Sequence, residues 1–334
     1  MSDLESVISS ASNWSLATKS SLFVPAIIAA TGPAGTHAFI EFFVATLRNS
    51  HTRLAYAKAV SRFSAWLETD LKLTNLRQLQ AWHIATYIEQ MLKDGLRPAT
   101  VKQSLSAIRQ LCDFLVVRQV LPVNPATSVK APKQVNRHGL TPVLLPEEAR
   151  AILDMIDIST IKGLRDRALI ATMAYTFARI SATLALKVGD YQTRGRRAWL
   201  RFVEKGGQTI DLPCHHLLET YLDEYLAQAD LIHNKKALLF CSMSSRSAKA
   251  GLSDISLLEN NVWTMVNARA RAAGIDRPIN CHTFRATGIT AYLKNGGRLE
   301  IAQQMAGHAS PTTTQLYDRR DDDVALDEVE RILI

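Results

Sequence analysis

Between Asn280 and Tyr317 the chain reads NCHTFRATGITAYLKNGGRLEIAQQMAGHASPTTTQLY. His282 and Arg285 stand three residues apart, His308 follows Gly307, and Tyr317 comes nine residues after His308. These side chains are two imidazoles, a guanidinium and a phenol. They do not make a metal-ligand set, and no carboxylate is placed among them to act as a base. A cation, two rings that handle protons and an oxygen nucleophile suit a phosphodiester better than a peptide or a sugar.

The elements that must hold these groups begin far upstream. With 334 residues the chain is long enough for roughly two domains. Its net charge of +8 favours a polyanionic partner such as nucleic acid. Its cysteines (Cys112, Cys214, Cys241 and Cys281) contain no CxxC pair and read as free thiols of a reducing compartment. Cys214 with His215 and His216 lacks the second spaced pair that a metal site needs, so no metal is expected. The acidic, polar start is no secretory signal, and the apolar run Leu22 to Ala30 is too short for a bilayer. The expectation is a cytoplasmic, nucleoid-associated protein with no membrane contact.

Residues 1–35 read as an N-terminal arm, punctuated by Gly32-Pro33. Residues 36–129 carry helical periodicity in successive segments, a small bundle with links at Asn49-Ser50, Gly95 and Arg97-Pro98. Between Thr36 and Gln134 there are 13 basic and 6 acidic residues, so much of the surplus charge lies here. Arg53, Lys58, Arg62, Arg97, Lys102 and Arg109 are the candidate phosphate contacts of this bundle. Residues 130–146 form an extended basic linker with Lys130, Lys133 and Arg137. A second domain, 147–320, opens on a helix at Pro146-Glu147-Glu148. Arg179 falls at or near a helix start, where burial among Phe177, Ile180 and Leu184 requires an anionic partner. Ala198 to Val203 and Thr209 to Pro213 alternate as strands around a glycine turn, a β-hairpin with Lys205 at its tip.

Arg179, Lys205, His282 with Arg285, Gly307-His308 and Tyr317 follow one another in the order and spacing of the tyrosine recombinases, the phage-integrase family. The second domain resembles that family's catalytic domain. The bundle resembles its core-binding domain, down to Thr52…Tyr56 and the exit at Asn124-Pro125. The resemblance spans roughly residues 36 to 320. It implies a mostly α fold: a helical, SAM-like core-binding bundle plus an α+β catalytic domain with a small antiparallel sheet, together a C-shaped DNA clamp. The activity it implies is site-specific strand cleavage and transfer without cofactor, through a 3′-phosphotyrosine and a Holliday junction. That activity would serve integration, excision or resolution of a mobile element or replicon. Tyr317 is then the nucleophile and His282 its proton acceptor. Arg179 and Arg285 hold the phosphate, Lys205 protonates the leaving 5′ oxygen, and His308 supports the transition state. Lys187 is a rival for the lysine role.

The chain departs from the family at several points. Thr176-Phe177-Ala178 precedes Arg179 where Thr-Gly-Leu is common. Ala182 stands where an acidic residue is usual, and Glu204 where the hairpin often has glycine. Beyond Tyr317, residues 318–334 hold 3 basic and 7 acidic side chains, with Leu326, Val329 and Leu333 at helical spacing. By resemblance the segment 321–334 is a helix that docks on a neighbouring subunit. The expected partners are double-stranded core sites, bound by a monomer or dimer per site and by a homotetramer on two duplexes, with accessory proteins as candidates. Two other readings stay open: a type IB topoisomerase, and a DNA-binding regulator of the same fold.

Overall fold

The computed structural model describes residues 24–133, 139, 141–203, 207–244 and 251–318. Two compact units emerge, Met1–Val135 and Asn136–Ile334. The expectations for Lys205, Glu204, Arg137, the first 23 residues and the segment after Asp318 lie outside the described residues.

The first unit is helical: α1 Ala26–Ala29, α2 Pro33–Glu41 with a wider π turn Phe42–Thr46, α3 Ser50–Thr69, α4 Ala81–Lys93 and α5 Pro98–Val117. Two of its starts are legible in composition. Asn49 caps α3 by accepting from the Thr52 N–H, and Pro98 opens α5 with its preset φ. One stripe of each long helix fills a common core that includes Phe42, Phe43, Phe63, Leu67, Ile84, Leu105 and Ile108.

Part of the expected arm packs on this bundle. Ile27 and Ile28 are buried, the Ile27 N–H donates to Glu68, and Asn75 donates to the Ala30 carbonyl. Gly32-Pro33 does not end the peripheral stretch. It starts α2, with Pro33 in the first helical turn, where its missing N–H costs nothing.

The second unit contains α6 Pro146–Asp154, α7 Ile161–Thr176, α8 Ile180–Leu184, α9 His216–Gln228, α10 Glu259–Ala272, α11 Cys281–Lys294, α12 Leu299–Ala306 and α13 Pro311–Gln315. Strands β1 Tyr191–Arg194, β2 Arg197–Val203 and β3 Thr209–Pro213 pair antiparallel in that order. Val203 opposes Thr209 at the loop end of the β2–β3 hairpin. A separate two-stranded ribbon joins β4 Cys241–Met243 to β5 Leu252–Ser256.

Helix α7 is the axis of this unit and packs against both α9 and α11. It buries an unusual polar group. Asp166, with no exposed surface, accepts from Arg165 and from Arg269 of α10, while Arg165 also donates to the Cys241 carbonyl. A charge so placed is tolerable only because every partner is present, and the network locks α7, α10 and β4 in register. A second, smaller core joins Phe177, Ala286, Ile289, Leu293, Ala302, Ala306 and Tyr317.

Candidate active site

His282 and Arg285 sit in the first turns of α11. Asn280 fixes where that helix starts: its side chain accepts from the Thr283 N–H while the Thr283 hydroxyl accepts from the Asn280 N–H. Spacing of three then places both side chains on one face. Arg285 is almost wholly buried, at 1% exposure. Its Nη1 donates to the Phe177 carbonyl and its Nη2 to the Ala306 carbonyl at 2.6 Å. These carbonyls lie at the C-terminal ends of α7 and α12, so two helix dipoles present their negative ends to one guanidinium.

Phe177 turns the chain from α7 into Arg179 in a left-handed conformation, φ 57° and ψ 21°. Glycine adopts that conformation freely; a phenylalanine does so at a cost. The compensation is packing. Its ring is buried in the smaller core and lies edge-on to Tyr292. Gly288 makes the room: a Cβ there would fall 2.9 Å from the Phe177 ring and 2.0 Å from the Ala174 carbonyl. Arg179 follows as the N-cap of α8, and its Nη2 approaches the Gly307 carbonyl at 3.4 Å. Gly307, at φ 57°, ends α12 and delivers His308 into the site.

His308 is buried, with Nδ1 2.9 Å from the Thr314 hydroxyl, and its ring lies parallel to that of Tyr317 with centroids 6.0 Å apart. The Tyr317 hydroxyl lies 2.7 Å from His282 Nε2. Burial, and then the charges of Arg285 and Arg179, hold the His282 imidazolium below its ordinary range. The same causes push His308 down to about 4, with His282 adding to them. Burial raises the Tyr317 phenol, and the two arginines pull it back only in part. At neutral pH the protein therefore holds a protonated phenol against a neutral imidazole, so Tyr317 donates and His282 Nε2 accepts.

A cavity of about 790 Å³ opens beside this cluster. It is lined by Arg179 and His308, by Gln208 to Ile210 at the start of β3, and by Glu300, Gln303 and Gln304 of α12. Five of the six expected side chains (Arg179, His282, Arg285, His308 and Tyr317) thus meet at one place. The sixth, Lys205, belongs to the loop between β2 and β3, whose described flank lines the cavity. Lys187 instead begins a 3-10 turn, its N–H donating to Asp190. Ala182 lies on α8, half-buried against the larger core.

Sequence reading missed Thr314, Gln303 and Thr290. Thr314 is fully buried against His308, Gln303 donates to the His308 carbonyl, and Thr290 donates to the Tyr317 carbonyl. Only the Pro-Thr-Thr-Thr run before Tyr317 could have flagged one of them, without saying which hydroxyl points inward.

The candidate phosphate contacts divide. Lys58, Arg62, Arg97, Lys130 and Lys133 are exposed or partly so, and Lys102 is half-buried. Arg53 and Arg109 also hold backbone. Arg53 donates twice to the Leu47 carbonyl that ends the π turn, and Arg109 donates to Ala126 and Val129 at the bundle's exit. His215 caps α9 and stacks on Tyr175 with centroids 4.3 Å apart. Among the described residues no cluster of His, Cys, Asp and Glu could hold a metal.

Residues 142–323 match the phage integrase family, and residues 39–119 match the phage integrase N-terminal SAM-like domain. The chain belongs to the phage integrase family. It is 26% identical to the tyrosine recombinase XerD of Listeria monocytogenes serovar 1/2a over 80% of this chain and 88% of that one. Identity to the XerD of Chlorobaculum tepidum is 29%, over 82% and 87%. Among solved structures, the XerH site-specific recombinase bound to a palindromic difH substrate in a post-cleavage complex has the same fold. Its TM-score is 0.68 at 22% identity, covering 84% of this chain and 79% of that one. The lambda integrase tetramer bound to a Holliday junction gives 0.63 at 18% identity, covering 86% and 78%.

Proposed function

We propose that the chain is a site-specific DNA recombinase that cuts and rejoins strands through a covalent 3′-phosphotyrosine on Tyr317. The observation that carries this is the 2.7 Å contact between the Tyr317 hydroxyl and His282 Nε2, inside a pocket governed by Arg179 and Arg285. In the forward step the Tyr317 oxygen bonds to phosphorus, its proton passes to His282 Nε2, and the bond to the 5′ oxygen breaks. Lys205 gives the leaving oxygen its proton. Arg179 and Arg285 neutralise charge on the non-bridging oxygens as it grows. A neutral His308 whose Nδ1 accepts from Thr314 carries its proton on Nε2, ready for a phosphate oxygen. The reverse sequence reseals a strand, so the cycle consumes no cofactor.

The intact tyrosine–histidine pair favours this reading over a non-cleaving regulator, and the named relatives favour recombination over simple relaxation. Duplex core sites are the substrate, with Lys58, Arg62, Arg97, Lys102, Lys130 and Lys133 the phosphate contacts, and a tetramer on two duplexes is the working assembly. A groove of about 550 Å³ on the second unit supports the tetramer. It runs past Leu153, Tyr175, Tyr221 and Tyr292, with Arg150 and Arg197 beside it. Its apolar floor and basic rim suit the acidic, striped segment 321–334 of a neighbouring copy. Among the described residues no helix is long and apolar enough to cross a membrane. We place the protein's work on DNA in the cytoplasm.

The test is a nicked suicide duplex carrying the cognate site, incubated without metal or ATP. A covalent 3′ adduct should form with wild type and vanish with Tyr317→Phe, while DNA binding persists. Absence of an adduct from wild type, or its survival in the variant, sinks the proposal.

A further inference from the structure

Tyr317 is held in place by groups outside its own segment. Helix α13 is only five residues long and ends at Gln315, so it cannot by itself hold Tyr317 rigidly. Beyond a turn bond from the Tyr317 N–H to the Thr314 carbonyl, two successive carbonyls are captured from elsewhere. The Tyr317 carbonyl accepts from the buried Thr290 hydroxyl of α11 at 3.1 Å. The Leu316 carbonyl accepts from the Gly139 N–H at 2.8 Å. Gly139 lies in the second unit, close to where it begins at Asn136, within the stretch 130–146 that the sequence marks as a joining segment.

The approach at Gly139 is close. A Cβ on residue 139 would lie 3.2 Å from the Leu316 oxygen, and the backbone there is not in the left-handed region. The glycine therefore serves contact rather than conformation. Farther along, the joining segment stays attached to the same core. Val143 packs against the cluster that contains Tyr317, and the Leu144 N–H donates to the Thr287 hydroxyl of α11 at 3.0 Å.

We propose that Gly139 is a positioning residue: its N–H and the Thr290 hydroxyl together form a cradle that sets the Tyr317 hydroxyl for attack. Cutting then depends on the Gly139 and Thr290 contacts behind Tyr317. This rests on the recombinase reading above. The cradle acts on chemistry and not on affinity, because its two bonds hold main chain behind the nucleophile. A misplacement of about 1 Å at a reacting atom is worth up to about a hundredfold in rate.

The experiment is single-turnover adduct formation on the suicide duplex, with DNA affinity and thermal melting measured in parallel. Gly139→Pro removes the N–H. It should slow adduct formation by about tenfold or more while leaving affinity and melting near wild type. Gly139→Ala keeps the N–H and asks the Leu316 oxygen to give a few tenths of an ångström, so its loss should stay within about threefold. Thr290→Val leaves the joining segment untouched and should show the same split between retained affinity and slowed cleavage. The proposal is overturned if Gly139→Pro cleaves within about twofold of wild type, or if the alanine variant loses as much as the proline one. It is equally overturned if Thr290→Val cleaves at the wild-type rate. A wild-type protein that forms no adduct overturns the recombinase reading instead.

Discussion

A phenol and an imidazole 2.7 Å apart share one proton at the centre of the site, and burial decides on which it rests. Desolvation disfavours both phenolate and imidazolium, so it raises Tyr317 and lowers His282. In the proposed mechanism His282 is ready as base at neutral pH, and Tyr317 is activated as nucleophile only as its proton moves. This fixes the sign of a pH effect. His282 accepts only when neutral, and its folded pKa lies below the ordinary imidazole value of 6.5. The second-order cleavage rate, measured at subsaturating DNA so that it reports the free protein, should be flat through neutral pH. It should fall about tenfold per unit only below pH ~6.5. An acid limb centred above about 7 would exclude His282 as the acceptor.

At the scale of elements, the site is a junction of helix ends: the start of α11, the ends of α7 and α12, and the start of α8. Phe177 ties these ends together, and two effects compete there. Replacing it with glycine would relieve a left-handed residue, worth about 1–2 kcal/mol. It would also empty a buried aromatic site, which costs about 3–5 kcal/mol. Packing wins, so Phe177→Gly should destabilise the second unit by about 2 kcal/mol, measured by urea unfolding, although glycine restores the family's commoner residue. The same variant loosens the backbone that carries the carbonyl accepting from Arg285, and cleavage should fall further than stability alone explains.

At the scale of the molecule, binding is expected to be electrostatic in the first unit and chemical in the second. Exposed Lys58 and Arg62 lie four residues apart on α3. Replacing both with alanine should reduce the magnitude of the log K against log salt slope by about 2. Arg109→Ala should leave that slope alone and lower the melting temperature, because Arg109 holds the carbonyls of Ala126 and Val129. Assembly is the other property of this scale. Truncation after Asp323 should abolish pairing of two sites, read by native gel or light scattering, and preserve binding to one. Synapsis that persists in the truncated protein would show that the tail is not the link.

Local rules made much of this readable in advance. Asn49, Pro98 and Asn280 are caps whose action spans a turn, and the β2–β3 hairpin announces itself by alternation around a glycine turn. Elements that exist only by pairing or packing left weaker traces. Strands β4 and β5 are short and pair across a bulge, and α1 is one turn held by the bundle it covers. The six residues expected at the site and their order were legible in the chain, because this chemistry selects a tyrosine, histidines, arginines and a lysine whatever surrounds them. Their protonation was not: a histidine near 4 and a raised phenol follow from burial, which sequence spacing does not contain. Tertiary structure alone also decided that Arg109 holds carbonyls, that Phe177 occupies a left-handed turn, and that Gly139 reaches the carbonyl before Tyr317. The physical reason is common to all three. Each is a contact between segments distant in sequence or a backbone state stabilised by such contacts, and the free energy of such an arrangement belongs to the packed whole.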